Sequence, residues 1–513
     1  MARRWSYQHT PYLSALPGLA GPGMDVSNGD LPSKMYFVDT FDNVKAGGPA
    51  PEFGDNCFKG SLWWCWYQDQ GADFSKFMWP LVGGYVFSGQ ALSSPDGRGN
   101  FDYVGHAAPG AGLFIQTAAM AVRGSNSRIW HTPSWVGDLP SKDGPEKFQA
   151  TQRDALQGSS STYDTSRIAH INCEGRWSMD ETVQFWYATL GLSWLRGAIY
   201  EPLHIPPDFA MEEGSHHEPG VDHGYGHLLS GRADLALTMQ SLYAHTTDRN
   251  PLVACANYSH INNLHYNHGR DYIGRGEGIL IDDNGDYNEA DERQMRANVV
   301  GNVTVRGPDQ GDEELVLARV RNVTPGSSGY SALNSQYGWP KELSQSQEDF
   351  FKTPPADYFK PTPRRSAWPL GLGFDFNGVR RVAADPLNPT VQEGLEFVEL
   401  MRETVGVMPS RRYLYKSGVD KMLDQIANAI RGVHQDPQFV NTVEEAGGWP
   451  ELPTIPALDP TAPNAEWWHA PLPLGPDRDE IVTSGVLLDG SSAVGLSNIR
   501  KWIANQYIAT LGR

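Results

Sequence analysis

The chain is expected to be all-β, wound as a right-handed parallel β-helix with wrapping loops and C-terminal helices. Three observations point there. Between about residue 105 and 325 short β-favouring runs follow one another with turns between, among them "LFIQ", "SRIAHINCEG", "LALTMQSLYAH", "YSHINNLHYN" and "NVVGNVTVRG". Neighbouring runs recur at about 20–25 residues, the length of one solenoid coil. Asn recurs within them, at Asn172, Asn257, Asn262, Asn263, Asn298, Asn302 and Asn322, and stacked coils can join such amides in hydrogen-bonded ladders. A β-sandwich or a propeller is the next alternative, although no WD-type blade signature is present.

The elements follow in order. Residues 1–30 read as an exposed N-terminal arm: two early arginines are not followed by an apolar stretch of the length a secretory signal needs. Residues 31–340 hold the β-helix with its N-terminal cap. Within it, residues 30–104 look aromatic-rich and irregular. "SLWWCWYQDQ" would, by strand alternation, set Trp64 on one face and Trp63 and Cys65 on the other, as core and cap. Residues 341–513 open with Pro-rich wrapping loops, "FKTPPADYFKPTPRRSAWP". Three helical patterns then pack on the body: "VQEGLEFVELMRETVG", "SGVDKMLDQIANAIRGV" and "GLSNIRKWIANQYIATLG".

Composition narrows the function. Of 513 residues, 40% are hydrophobic, enough for a sizeable core. A net charge of −19 argues against nucleic acid as a partner, and a polyanionic glycan would need a cation as intermediary. No apolar run reaches the roughly 20 residues of a membrane span. Four cysteines form no CxxC pair, which argues against zinc or a redox dithiol. Cys173 and Cys255 read as buried thiols, and Cys57 and Cys65 are left either paired or free.

Six stretches resemble pectate lyases of the first polysaccharide lyase family, in family order. They are "GHAAPGAGLFI" (105–115), "NCEGRWSMDE" (172–181), "HGYGHLLSG" (223–231), "LYAHTTDRNP" (242–251), "VGVMPSRRYLYKSGVDKML" with "EEAGGWPEL", and "GLSNIRKWIANQYI". The resemblance implies a pectate lyase-like parallel β-helix acting on an acidic polysaccharide outside the cell. It implies β-elimination, in which Ca²⁺ bridges protein and uronate carboxylates and an arginine takes the proton α to the uronate carboxylate. By position, Arg249 matches that arginine and Asp180, with Glu181 beside it, matches a calcium ligand. Gln184, Ile171 and Asn172 replace other acidic or His positions, and the second arginine expected after the motif is absent from Leu252-Val253-Ala254. These replacements predict little or no cleavage of polygalacturonate.

Other residues add candidates. Ten of the fifteen histidines fall between 170 and 268. His223 is assigned a catalytic place beside Arg249, and Tyr225, His227, His216 and His217 a substrate-binding one; a polar loop without ligand is the structural alternative. "IDDNGDYNEADE" sets Asp282 and Asp286 at calcium-loop spacing, although Gly285 is misplaced for an EF-hand. Two function classes remain: a polysaccharide lyase, or a virion protein such as a phage tail spike or fibre. The latter would bind host glycan and dock on other virion proteins through its arm.

Overall fold

The computed structural model describes residues 34–41, 59–67, 76–87, 92–93, 101–105, 108–116, 120–122, 127–137, 154–158, 168–178, 180–185, 192–203, 224–229, 235–255, 257–269, 277–282, 294–310, 316–321, 327–339, 351–352, 359–361, 382–409, 412, 418–433, 439–452, 454, 480–487, 490, 492–498 and 501. Their strands form three parallel sheets, the first of 11 strands and the other two of 9 each. The chain visits them in rotation. Ile168–Ile171 lies in the first sheet, Glu174–Arg176 in the second and Glu181–Phe185 in the third. Leu192–Leu195 then returns to the first sheet, in register beside Ile168–Ile171. The repeat makes a parallel β-helix, the expected fold class. Strands separated by a whole coil become hydrogen-bonded neighbours, so no hairpin is needed.

The corners explain the composition. His131, Asn172, Arg196, Gln240, Asn262, Gly301 and Leu333 each follow the last residue of a first-sheet strand. Each has φ between 45° and 67°. That left-handed conformation turns the chain sharply, and Asn and Gly adopt it at least cost. The next residue starts a ladder: Asn263 Oδ1 accepts from Ser241 N (2.9 Å), Asn302 Oδ1 from Asn263 N (2.8 Å) and Asn334 Oδ1 from Asn302 N (2.9 Å). Asn262, Asn263 and Asn302 thus serve the stack as their recurrence suggested. Asn172 is used differently, its amide donating to the Thr404 and Gly406 carbonyls of the C-terminal region. Asn322 lies outside the described residues.

Three readings need correction. The "irregular" stretch 30–104 already contains Lys34–Val38 and the first full coil, Lys76–Pro80, Gly84–Phe87 and Leu92–Ser93. The ladder also runs past 340, through Phe351–Lys352 and Phe359–Pro361 inside the Pro-rich segment. Proline is tolerated there because Pro361 ends a strand at the sheet edge. The tryptophan run is not a strand but α1 (Leu62–Tyr67). It buries Trp63, Cys65 and Trp66 and leaves Trp64 half-buried, packing beside the first strands as a cap.

Cys173 and Cys255 lie in the coil interior at 0% and 1% exposure. The buried Cys65 thiol donates to the Phe37 carbonyl; Cys57 lies outside the described residues. Two helices cover the second sheet. They are α2 (Val391–Thr404), opened by a Thr390–Glu393 capping box, and α3 (Gly418–Ile430). Phe397, Val398, Met401, Met422, Leu423 and Ile426 pack on Ala198, Tyr200, Leu242, Leu264 and Tyr266. The third helical pattern falls mostly outside the described residues, as does the arm. Among the described residues no helix is long and apolar enough to cross a membrane.

Candidate cation and arginine site

The site sits at the corner where each coil passes from the second sheet to the third. Asp154 stands two residues before the strand Leu156–Gly158, and Asp180 immediately before Glu181–Phe185. Tyr225 begins Tyr225–Leu229, and Arg249 precedes Leu252–Val253. These are four successive coils, so equivalent corner positions stack into one column. Cross-coil backbone bonds fix it: Ala155 N donates to Thr182 O, Tyr225 N to Asp180 O, Gly226 N to Asp248 O and His227 N to Arg249 O, at 2.7–3.1 Å. Gly226 is required at this spot. A Cβ there would lie 2.6 Å from the Arg249 carbonyl and 2.8 Å from Asn250 Oδ1, too close for either to stay.

Ligand oxygens of Asp154, Asp180 and Glu181 all lie within 4.8 Å of one another. The Arg249 guanidinium forms an ion pair with Glu181 and lies over the Tyr225 ring, its central carbon 4.2 Å from the centroid. The Arg249 side chain is 26% exposed and that of Glu181 is 3% exposed, so the column meets solvent on the arginine side. Arg249 itself has φ of 59°, and its backbone N–H donates to Asp248 Oδ1 at 2.6 Å.

The electrostatics favour a cation. Asp154 is 1% exposed; its Oδ2 accepts from Gln157 at 2.7 Å, while Oδ1 has no hydrogen-bond partner among the described residues. Burial, followed by the neighbouring Asp180 charge, pushes its carboxyl well above the usual carboxylate range. A buried carboxylate with an unmatched oxygen, crowded by two more, is stabilised when a metal ion supplies the missing charge. Hard oxygen donors alone fit Ca²⁺ or Mg²⁺ better than a transition metal. The residues therefore fit the calcium that the sequence resemblance implies.

Arg249, Tyr225, Asp180 and Glu181 are thus brought together. His227 is not with them. It is fully buried, its Nδ1 paired with Tyr243 OH at 3.1 Å and its ring among Phe185, Trp194 and Tyr243, so it cannot face a substrate. Its register partner on the neighbouring coil, Val183, is a core residue, and His227 lies inward beside it. Asp282 ends a strand three places from that of Glu181 in the third sheet, roughly 14 Å along the axis at the usual strand spacing, and its side chain is not described. His223, His216, His217 and Asp286 lie outside the described residues. Asp154 is the site residue that sequence reasoning missed. Its signal was there: "RDALQ" and "MDETVQ" put an Asp before a strand, 26 positions apart, one coil length.

No family model matches the chain, and no curated protein matches it. Solved structures do. One is Jun a 1, the major allergen from cedar pollen, at a TM-score of 0.46 and 10% identity over 78% of this chain and 96% of that one. Another is the pectate lyase pelN from Paenibacillus sp. 0602, at 0.29 and 13% over 66% and 78%.

Proposed function

We propose that the chain binds an acidic polysaccharide at this corner column and cleaves it by β-elimination. The observation that carries the reading is the meeting of three carboxylates and one arginine, from three coils of the four-coil column, on one partly exposed corner. Bound there, a divalent cation would neutralise a uronate carboxylate and acidify the carbon beside it. The chain's own residues do the rest. Asp154, Asp180 and Glu181 hold the cation, and the open side of the column admits the glycan. Arg249 stands next to the ligands, where it takes the proton from the carbon α to the carboxylate. The electron pair left behind forms the double bond, the adjacent glycosidic C–O bond breaks, and the leaving oxygen takes a proton from solvent. Arginine is a weak candidate for a base unless its surroundings change, since its guanidinium is otherwise always charged. Asp154 adds a third carboxylate beside Asp180 and Glu181, which weakens the reason to expect inactivity that Ile171 and Gln184 gave.

The Arg249–Glu181 ion pair favours a second reading, in which Arg249 is a scaffold residue and the column only binds glycan, as a spike or fibre would bind a host. Absorbance of unsaturated uronate product separates the two. Acidic polysaccharides are to be incubated with purified protein, with and without calcium. The lyase reading expects calcium-dependent product that Arg249→Ala abolishes. Glycan binding without product, on every polysaccharide tried, would leave the scaffold reading.

A further inference from the structure

Glu181 belongs to two arrangements at once. It is a corner of the acidic triad, and it is the ion-pair partner of Arg249. We infer that Arg249 is a displaceable counter-ion of the cation site: a divalent cation and the guanidinium compete for Glu181, and cation binding releases Arg249 towards the glycan. This rests on the reading of Asp154, Asp180 and Glu181 as cation ligands.

The local structure suits a latch. Three carboxylates this close, two of them almost wholly buried, need positive charge nearby, and the described column offers Arg249. The guanidinium's contacts include a carboxylate and the face of Tyr225, on the side open to solvent. Its backbone is held separately, through Asp248 Oδ1 and the His227 N–H. Those backbone bonds do not depend on the pairing of the guanidinium with Glu181. Calcium takes six to eight oxygens and binds more tightly as carboxylate charge rises, so it gains by claiming Glu181 outright. Once it does, Arg249 faces a cation rather than an anion and is driven outward, to where a polyanion would lie. Cation and arginine would then be ordered events: the glycan meets a free Arg249 only when the metal is already in place.

Calorimetric titration of the full chain with CaCl₂ tests this without any activity readout. Arg249→Gln removes the competitor, and calcium should bind about tenfold or more tightly than to wild type, the effect of one nearby charge. Tyr225→Leu removes only the ring seat and should tighten binding about two- to fivefold, which keeps the test alive if Arg249→Gln does not fold. Glu181→Gln should weaken it. If wild type binds calcium and Asp154→Asn loses it, yet Arg249→Gln and Tyr225→Leu bind no more tightly than wild type, the latch is wrong and the cation site stands. If wild type and both variants bind no calcium at millimolar concentration, latch and cation site fall together.

Discussion

Tyr225 and His227 sit two residues apart on one strand and live in opposite chemical worlds. Tyr225 is half-buried at the corner and carries a guanidinium on its face. His227 is fully buried in the coil interior, and the groups around it are neutral. The corner gathers full charges because partners and solvent are within reach. Around His227 the described interior holds uncharged hydroxyls, phenols and imidazoles, many of them bonded to one another. Thr238 Oγ1, Tyr258 OH and His260 Nδ1 lie 2.5–2.7 Å apart, and His260 Nε2 meets His265 Nε2 at 2.8 Å. His265 in turn stacks on Tyr243 at 4.9 Å. The same fold thus makes a charged column outside and a charge-intolerant column inside, and they should respond differently to pH and to mutation.

The largest expected difference is acid lability of the interior. Burial holds His227, His260 and His265 well below the usual imidazole range, His268 at about 4 and His170 at about 3. The unfolded chain takes up these protons near pH 6.5, and the folded chain resists them. Stability is therefore full above pH 6.5 and falls as pH drops below it, down to about 4 for His268 and 3 for His170. Each residue costs roughly 1 kcal/mol per pH unit, so the five together should remove several kcal/mol by pH 5.5. Urea midpoints at pH 7.5, 6.5 and 5.5 should fall steeply across the last step. A flat profile would mean that the interior tolerates charge, and the contrast with the corner would collapse.

Smaller effects separate two kinds of ion pair. Arg128 and Asp102 are 0% and 2% exposed and meet through two 2.5 Å bonds, with Trp130 Nε1 donating to the same carboxylate at 3.1 Å. Asp102→Asn strands a buried guanidinium and should cost about 3–5 kcal/mol by urea denaturation. Glu181→Gln breaks the pair at the corner, where Arg249 reaches solvent and two other carboxylates lose a crowded neighbour. Its cost should stay within about 1 kcal/mol. Equal losses would show that the corner is structural after all.

How much of this was legible in the sequence depended on whether the residue's neighbours were close in the chain. The β runs stood out because strand propensity is local. Their bends did not: "SRIAHINCEG" and "LALTMQSLYAH" each read as one run but hold portions of two strands, and turns at Arg196, Gln240 and Leu333 use residues with no turn signature. Pairing with the coils above and below imposes those bends and overrides local preference. Arg249, Asp180, Glu181 and Tyr225 were found through short motifs. Asp154 was not, because its meaning comes from a neighbour one coil away. His227 was misassigned because Tyr225 still belongs to the corner, so its outward position says nothing of His227, whose register partner on the neighbouring coil, Val183, is a core residue. The histidine cluster that suggested catalytic and substrate-binding candidates lies in large part in the core: His170, His227, His260, His265 and His268 are all buried.

Asp154 is the residue that turns a pair of acidic neighbours into a cation site, so it offers the most direct test of the account. The measurement is the rate of unsaturated uronate release, with saturating calcium, by wild type and Asp154→Asn, each checked by its urea midpoint at pH 7.5. Asn keeps the shape and removes the charge. The account predicts calcium-dependent release by wild type and a loss of at least about tenfold in Asp154→Asn, with more calcium needed to reach half-maximal rate, because cation affinity follows ligand charge. Release that is the same in both proteins, or indifferent to calcium, would contradict it.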